Sequence, residues 1–151
     1  MLPLLNLPEA NLKLKAPTTP KGKPQVWDVC RKQYVTLTPE EYVRQSFLSY
    51  LLNVLGYPRE RTAVEAALNI NGQSHRADIV IYDINMSPLL IVECKAPTVQ
   101  ISQKTLDQAL RYNTQLGVKY IVLTNGLRHY CIGVDSQKYS ILSHIPPYLK
   151  G

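Results

Sequence analysis

The dipeptide Asn71-Gly72 constrains the folding of this chain more than any other feature. It follows the run "TAVEAALNI" at 62–70 and precedes a second run rich in β-branched residues at 75–82, and Asn-Gly in that place closes a two-residue hairpin. A turn of that length sets the register: Ile70 faces Gln73, and Glu65 is then expected opposite Asp78. A third run, residues 88–95, follows across the six-residue loop "DINMSP". Pairing Tyr82 with Leu89 places Asp78 opposite Glu93. Glu65, Asp78 and Glu93 then form one row across three strands. Side-chain alternation adds Lys95 to the same face and turns Cys94 to the other.

Such a row needs an explanation. Like charges opposite one another on a sheet repel, and half-buried carboxylates are costly without compensation. Lys95 can neutralise one acid and not three. An oxygen-rich row suits a divalent ion, Mg²⁺ or Mn²⁺, and such an ion beside a lysine suits phosphodiester hydrolysis. The plainer alternative is a Glu93–Lys95 surface pair on an exposed strand. The surrounding "LLIVECKA" argues against it, because it reads as an inner strand.

The flanking segments predict an α/β domain with a central mixed sheet flanked by helices. In "TPEEYVRQSFLSYLLNVLGYP", Thr38 is the expected N-cap, Pro39 the first helical residue and Glu41 the partner in a capping box, with Gly56 as the stop. A second helix, "SQKTLDQALRYNTQLG", turns Leu106, Ala109, Leu110 and Leu116 inward, and further strands surround Asn125-Gly126. Residues 1–25 hold five prolines and form a basic arm ahead of a single domain, 26–151. The first 32 residues carry six lysines and arginines against two acids, an excess that suits a polyanion or simply solubility. The three cysteines have no CxxC spacing, the three histidines no ligand spacing, and no Gly-rich phosphate loop occurs. With no apolar run of ~18 residues and no signal-peptide pattern, the expectation is no membrane span and a cytoplasmic location.

Asp78 followed by Glu93-Cys94-Lys95 resembles the D…(D/E)xK signature of the restriction-endonuclease-like, PD-(D/E)xK, superfamily; Ala77 stands where the usual proline would be. Gln108 and Tyr112 in "DQALRYN" look like the QxxxY motif of its RecB-like branch. "LTPEEYVRQSFLSYLL", "ECKAP" and "VLTNG" are similar to the N-terminal nuclease domain of type I restriction enzyme R subunits, over roughly 34–134. The resemblance implies a core ordered αβββαβ and a metal-dependent DNA endonuclease or nuclease module. It implies Asp78 and Glu93 as metal ligands, the Cys94 carbonyl as a further one, Lys95 as the catalytic lysine, and Gln108 and Tyr112 at DNA or beside the site. An additional acid comes from Glu41 or Glu65, and the register favours Glu65. The expected cofactor is Mg²⁺ or Mn²⁺. The expected partners are DNA and either a second copy of the chain or restriction–modification subunits. The alternative is a non-catalytic nucleic-acid-binding or assembly domain that keeps the fold.

Overall fold

The computed structural model describes residues 2–70, 72–136 and 138–149, without the side chains at 70, 73 and 112–116. Asn71 and the side chains of Tyr112 and Leu116 therefore lie outside the described residues. A small antiparallel sheet comprises β1 (Leu14–Lys15), β2 (Gln25–Asp28) and β3 (Gln33–Thr36). Helix α1 (Pro39–Ser49) follows and runs on through a π-helical turn at Tyr50–Val54. The larger sheet comprises β4 (Thr62–Ile70), β5 (Gln73–Tyr82), β6 (Pro88–Cys94), β7 (Tyr120–Thr124), β8 (His129–Asp135) and β9 (Lys138–Leu142), in that spatial order. Among the described residues only β6 and β7 pair in parallel, and α2 (Gln103–Leu116) is the crossover that a parallel pair requires. The sheet is mixed and the domain is α/β.

Helix α1 begins as its sequence predicts, with the Thr38 hydroxyl accepting the Glu41 N–H at 3.0 Å. Only half of the capping box forms. The Glu41 carboxylate turns instead to Arg31 and Arg44, where charge-assisted bonds are stronger than one to a backbone amide. Val43, Phe47, Leu48 and Leu51 cover one face of the sheet, against Ile79, Ile81, Leu90, Val92 and Val122. On the other face Leu106, Ala109 and Leu110 of α2 pack on Ile121, Leu123 and Ile132.

The β4–β5 register is the one the Asn71-Gly72 turn dictates, from Ile70–Gln73 to Thr62–Ile81. The ladder skips one pair, Glu65 with Asp78, where Glu65 takes a left-handed φ of 54°. In the next hairpin Ile79–Val92, Val80–Ile91 and Ile81–Leu90 pair as expected, but Tyr82 faces Pro88 and not Leu89. The loop closes one residue early because Asp83 Oδ1 accepts the N–H groups of Asn85 and Ser87 at 2.8 and 3.0 Å. The shift comes after Ile81 and leaves the alignment at Asp78 and Glu93 untouched. No helix among the described residues is long and apolar enough to cross a membrane.

The basic arm is tied to the domain. Leu14 and Lys15 pair with Val26 and Gln25, and the Asn6 N–H donates to the Gly126 carbonyl at 2.8 Å. Gly126 has φ +87°, and a Cβ there would meet Leu5 Cδ2 at 2.7 Å and Val43 Cγ2 at 3.2 Å. Gly126→Ala is therefore expected to cost about 2 kcal/mol in urea unfolding, from strain and overlap together. Adding Leu5→Ala should recover the steric part and leave the backbone part.

Candidate functional site: a carboxylate row held by a buried arginine

Arg44 stands on the buried stripe of α1, one turn before Phe47 and Leu48. Its guanidinium gathers carboxylates from three elements. One amino group, Nη1, lies 2.6 Å from Glu41, and the other, Nη2, lies 2.7 Å from Asp78, 2.7 Å from Glu65 and 3.4 Å from Glu40. Glu40 and Glu41 come from α1 itself, and Arg44 meets Glu65 and Asp78 where the β4–β5 ladder is interrupted. Behind it, Arg31 bridges Glu41 and Asp28, and the Gln45 amide donates to both. Burial pushes the Asp28 carboxyl up, but bonds from the Arg31 backbone and side chain, Gln45 and Cys30 outweigh it and hold it below its ordinary value.

Asp78 is fixed from both sides. Oδ1 accepts from Arg44, and Oδ2 accepts the Cys94 backbone N–H at 2.7 Å. Glu93 lies against it. Burial first, then the charge of Asp78 and a hydrogen bond shared with it, raise the Glu93 pKa to about 8, against a smaller opposing pull from Lys95. Ionising Glu93 beside Asp78 is therefore disfavoured. Two carboxyls pressed together with a lysine close by form a place that a cation would relieve. In donor type and pairing they fit a hard divalent ion. Beyond that pair the cage is not ready-made: among the described residues no group of three His, Cys, Asp or Glu side chains converges on a metal position.

The structure thus brings together Glu65, Asp78, Glu93 and Lys95. Cys94 contributes its backbone, while its thiol is buried in the core with α1. Glu41 joins the network through Arg44 and Arg31. Gln108 is exposed on α2, the helix covering the face that carries Glu93, and no contact joins it to the carboxylates among the described residues. The Tyr112 side chain lies outside the described residues. Sequence reasoning missed Arg44, Arg31, Gln45 and Asp28. The signal for Arg44 was present: a charge at 44 falls on the same helical stripe as 47, 48 and 51, so it must find acids inside.

Comparison with known proteins adds a family and a fold. Residues 39–146 match the family described as type I restriction enzyme R protein N terminus. The solved fragment assigned to an HsdR subunit of a type I restriction enzyme from Vibrio vulnificus YJ016 is similar at 20% identity and a TM-score of 0.55, over 73% of this chain. This chain spans 24% of that chain's length. A protein from Anabaena variabilis ATCC 29413, assigned as a nuclease of DUF820, shares 12% identity over 85% of this chain and 80% of its own. Its TM-score of 0.49 is too loose to carry weight. No curated protein matches the sequence.

Two predictions concern the charges. Arg44→Gln takes the paired cation from buried Asp78 and one partner each from Glu65 and Glu41, and should cost about 3–5 kcal/mol in denaturant unfolding, whereas exposed Arg76→Ala, which loses one pair to Glu65, should cost under ~0.5 kcal/mol. Equal losses would show that the buried fork has no special place. Because Glu93 titrates higher folded than its ordinary 4.5, the folded state holds a proton that the unfolded chain has lost, and stability falls as pH rises from about 4.5 to 8. Glu93→Gln should abolish that decline and raise Tm at pH 8 by roughly 4 °C or more; parallel pH curves for the two proteins would refute the assignment.

Proposed function

The chain belongs to the family of type I restriction enzyme R protein N termini, and from that premise we propose that it is a metal-dependent nuclease module with a restriction-endonuclease-like core, hydrolysing phosphodiester bonds in DNA. The observation that carries this reading is the Asp78–Glu93 carboxyl pair with Lys95 beside it. In its donors the pair fits Mg²⁺ or Mn²⁺, which would be held by Asp78 and Glu93 with the Cys94 carbonyl, and Glu65 would be the additional acid. The bound ion supplies water activation and charge neutralisation at phosphorus. Asp78 has little freedom to move, since Arg44 and the Cys94 N–H hold its two oxygens. This keeps the first ligand in position at no cost in side-chain order when an ion arrives. Lys95 carries the positive charge that orients an attacking water or offsets charge growing on the phosphate. Gln108 and Tyr112 are the α2 residues proposed to face DNA. The reading also implies a cytoplasmic place beside DNA and either self-association or restriction–modification subunits as partners.

One observation favours a second reading. Arg44 already balances Asp78 and Glu65, so the row is stable without an ion. A non-catalytic nucleic-acid-binding or assembly domain would keep that balance and never load a metal. Incubation with supercoiled and single-stranded DNA in Mg²⁺ or Mn²⁺ separates the two. Nicking that disappears with chelator and falls by roughly a hundredfold or more in Lys95→Ala fits the nuclease. DNA binding with no metal-dependent cleavage in the wild type fits the second reading.

A further inference from the structure

The outer face of the small sheet, a different sheet from that of the carboxylate row, brings aromatic rings and lysines together. On β2 and β3, Trp27 pairs with Tyr34, and their rings meet edge to face at 5.2 Å. The Trp27 N–H donates to the Lys13 carbonyl, which sets Lys13 alongside. The Lys13 ammonium stands 5.4 Å from the Trp27 ring centre, and the Lys15 ammonium 5.2 Å from that of Tyr34. Lys21 and Lys23 follow in the loop to β2, and no acid occurs between Glu9 and Asp28. The Asp28 side chain is buried beneath the sheet and committed to Arg31 and Gln45.

We propose that this face is a docking surface for single-stranded nucleic acid, with unpaired bases stacking on Trp27 and Tyr34 and phosphates taken by Lys13, Lys15, Lys21 and Lys23. The proposal rests on the nucleic-acid reading of the preceding subsection and gives it a place to bind. The energetics favour the exchange. An exposed lysine over a ring is worth about 0.5–1 kcal/mol. A stacked base is worth about 1–3 kcal/mol, and each phosphate neutralised also releases counterions. The lysines therefore do better on phosphates than on rings, and as they swing away they uncover the aromatic faces. Trp27 and Lys13 also border a cleft of about 420 Å³ with an apolar floor of Leu48 and Leu52, the Asn53 amide and Arg59. Its shape and chemistry suit one unpaired base: an aromatic wall, an amide for the base edge and cations at the rim. Glu60 also borders it, a carboxylate able to accept from a base amino group. A duplex keeps its bases stacked on each other and has none to offer.

Trp27 is the only tryptophan in the chain, so its fluorescence reports on this face alone. The full chain is titrated with a thymidine oligonucleotide in chelator, so that no cleavage can occur. Saturable quenching is expected, with an affinity that falls steeply with salt and drops about tenfold in Lys13→Ala/Lys15→Ala. The proposal is overturned by oligonucleotide binding that leaves Trp27 emission unchanged, by a duplex of the same length binding as well, by heparin quenching equally, or by no binding at all. Cleavage in Mg²⁺ is scored separately, so either reading can fail while the other stands.

Discussion

The structure around the site depends on one buried guanidinium. Arg44 is the link between α1 and the carboxylates of β4 and β5, and it is nearly closed off from solvent at 6% exposure. Burial works against its charge, and the surrounding Asp78, Glu41 and Glu65 more than restore it. The planar fork matters here: its two amino groups reach different acids at once, which a lysine ammonium at one point could not do. Removing the arginine would take the paired cation from Asp78 and one partner each from Glu65 and Glu41, so α1 and β4–β5 are coupled through it. Asp28 and Arg31 extend that unit to the small sheet and through it to the arm.

Much of this was legible in the chain. The Asn-Gly turn set the β4–β5 alignment to the residue, because only one spacing satisfies a two-residue hairpin. Alternation then placed Glu93 and Lys95 correctly relative to Cys94, whose side chain is in the core. Thr38 capped α1 as expected. The failures were of two kinds. The Asp83 side chain shortened a loop by bonding its own backbone, a local competition that hydrophobic patterning does not register. Arg44 is invisible to apolar periodicity, which registers Val43, Phe47, Leu48 and Leu51 but not a charge set among them. With Lys95 the one cation set against three acids, the row called for a divalent ion to balance it. Part of that balance comes from the protein itself.

The interruption at Glu65 shows why the site lies where it does. A continuous ladder would press Glu65 and Asp78 against each other on one face, with α1 confined to the opposite side. By taking a left-handed conformation, Glu65 leaves the ladder, and Arg44 and Arg76 each reach one of its oxygens. A non-glycine residue at positive φ costs of order 1 kcal/mol or more. Here that strain coincides with two ion pairs, to Arg44 and to Arg76. Local strain and the carboxylate row are then one feature seen at two levels.

Charge balance also divides folding from chemistry. Where acids are held only by a metal, losing the ion unfolds the domain, as in small zinc proteins. Here Arg44, Arg31 and Arg76 offset Asp28, Glu41, Glu65 and Asp78 within the protein, and Glu93 is quieted by protonation. Most of the charge in the row is therefore offset by side chains of the protein itself. An ion entering between Asp78 and Glu93 would have to displace the Glu93 proton and weaken the hold of Arg44, so its affinity would be modest and would rise with pH. On the proposed reading the arginine that holds Asp78 and Glu65 would also set how readily an ion binds between the carboxyls.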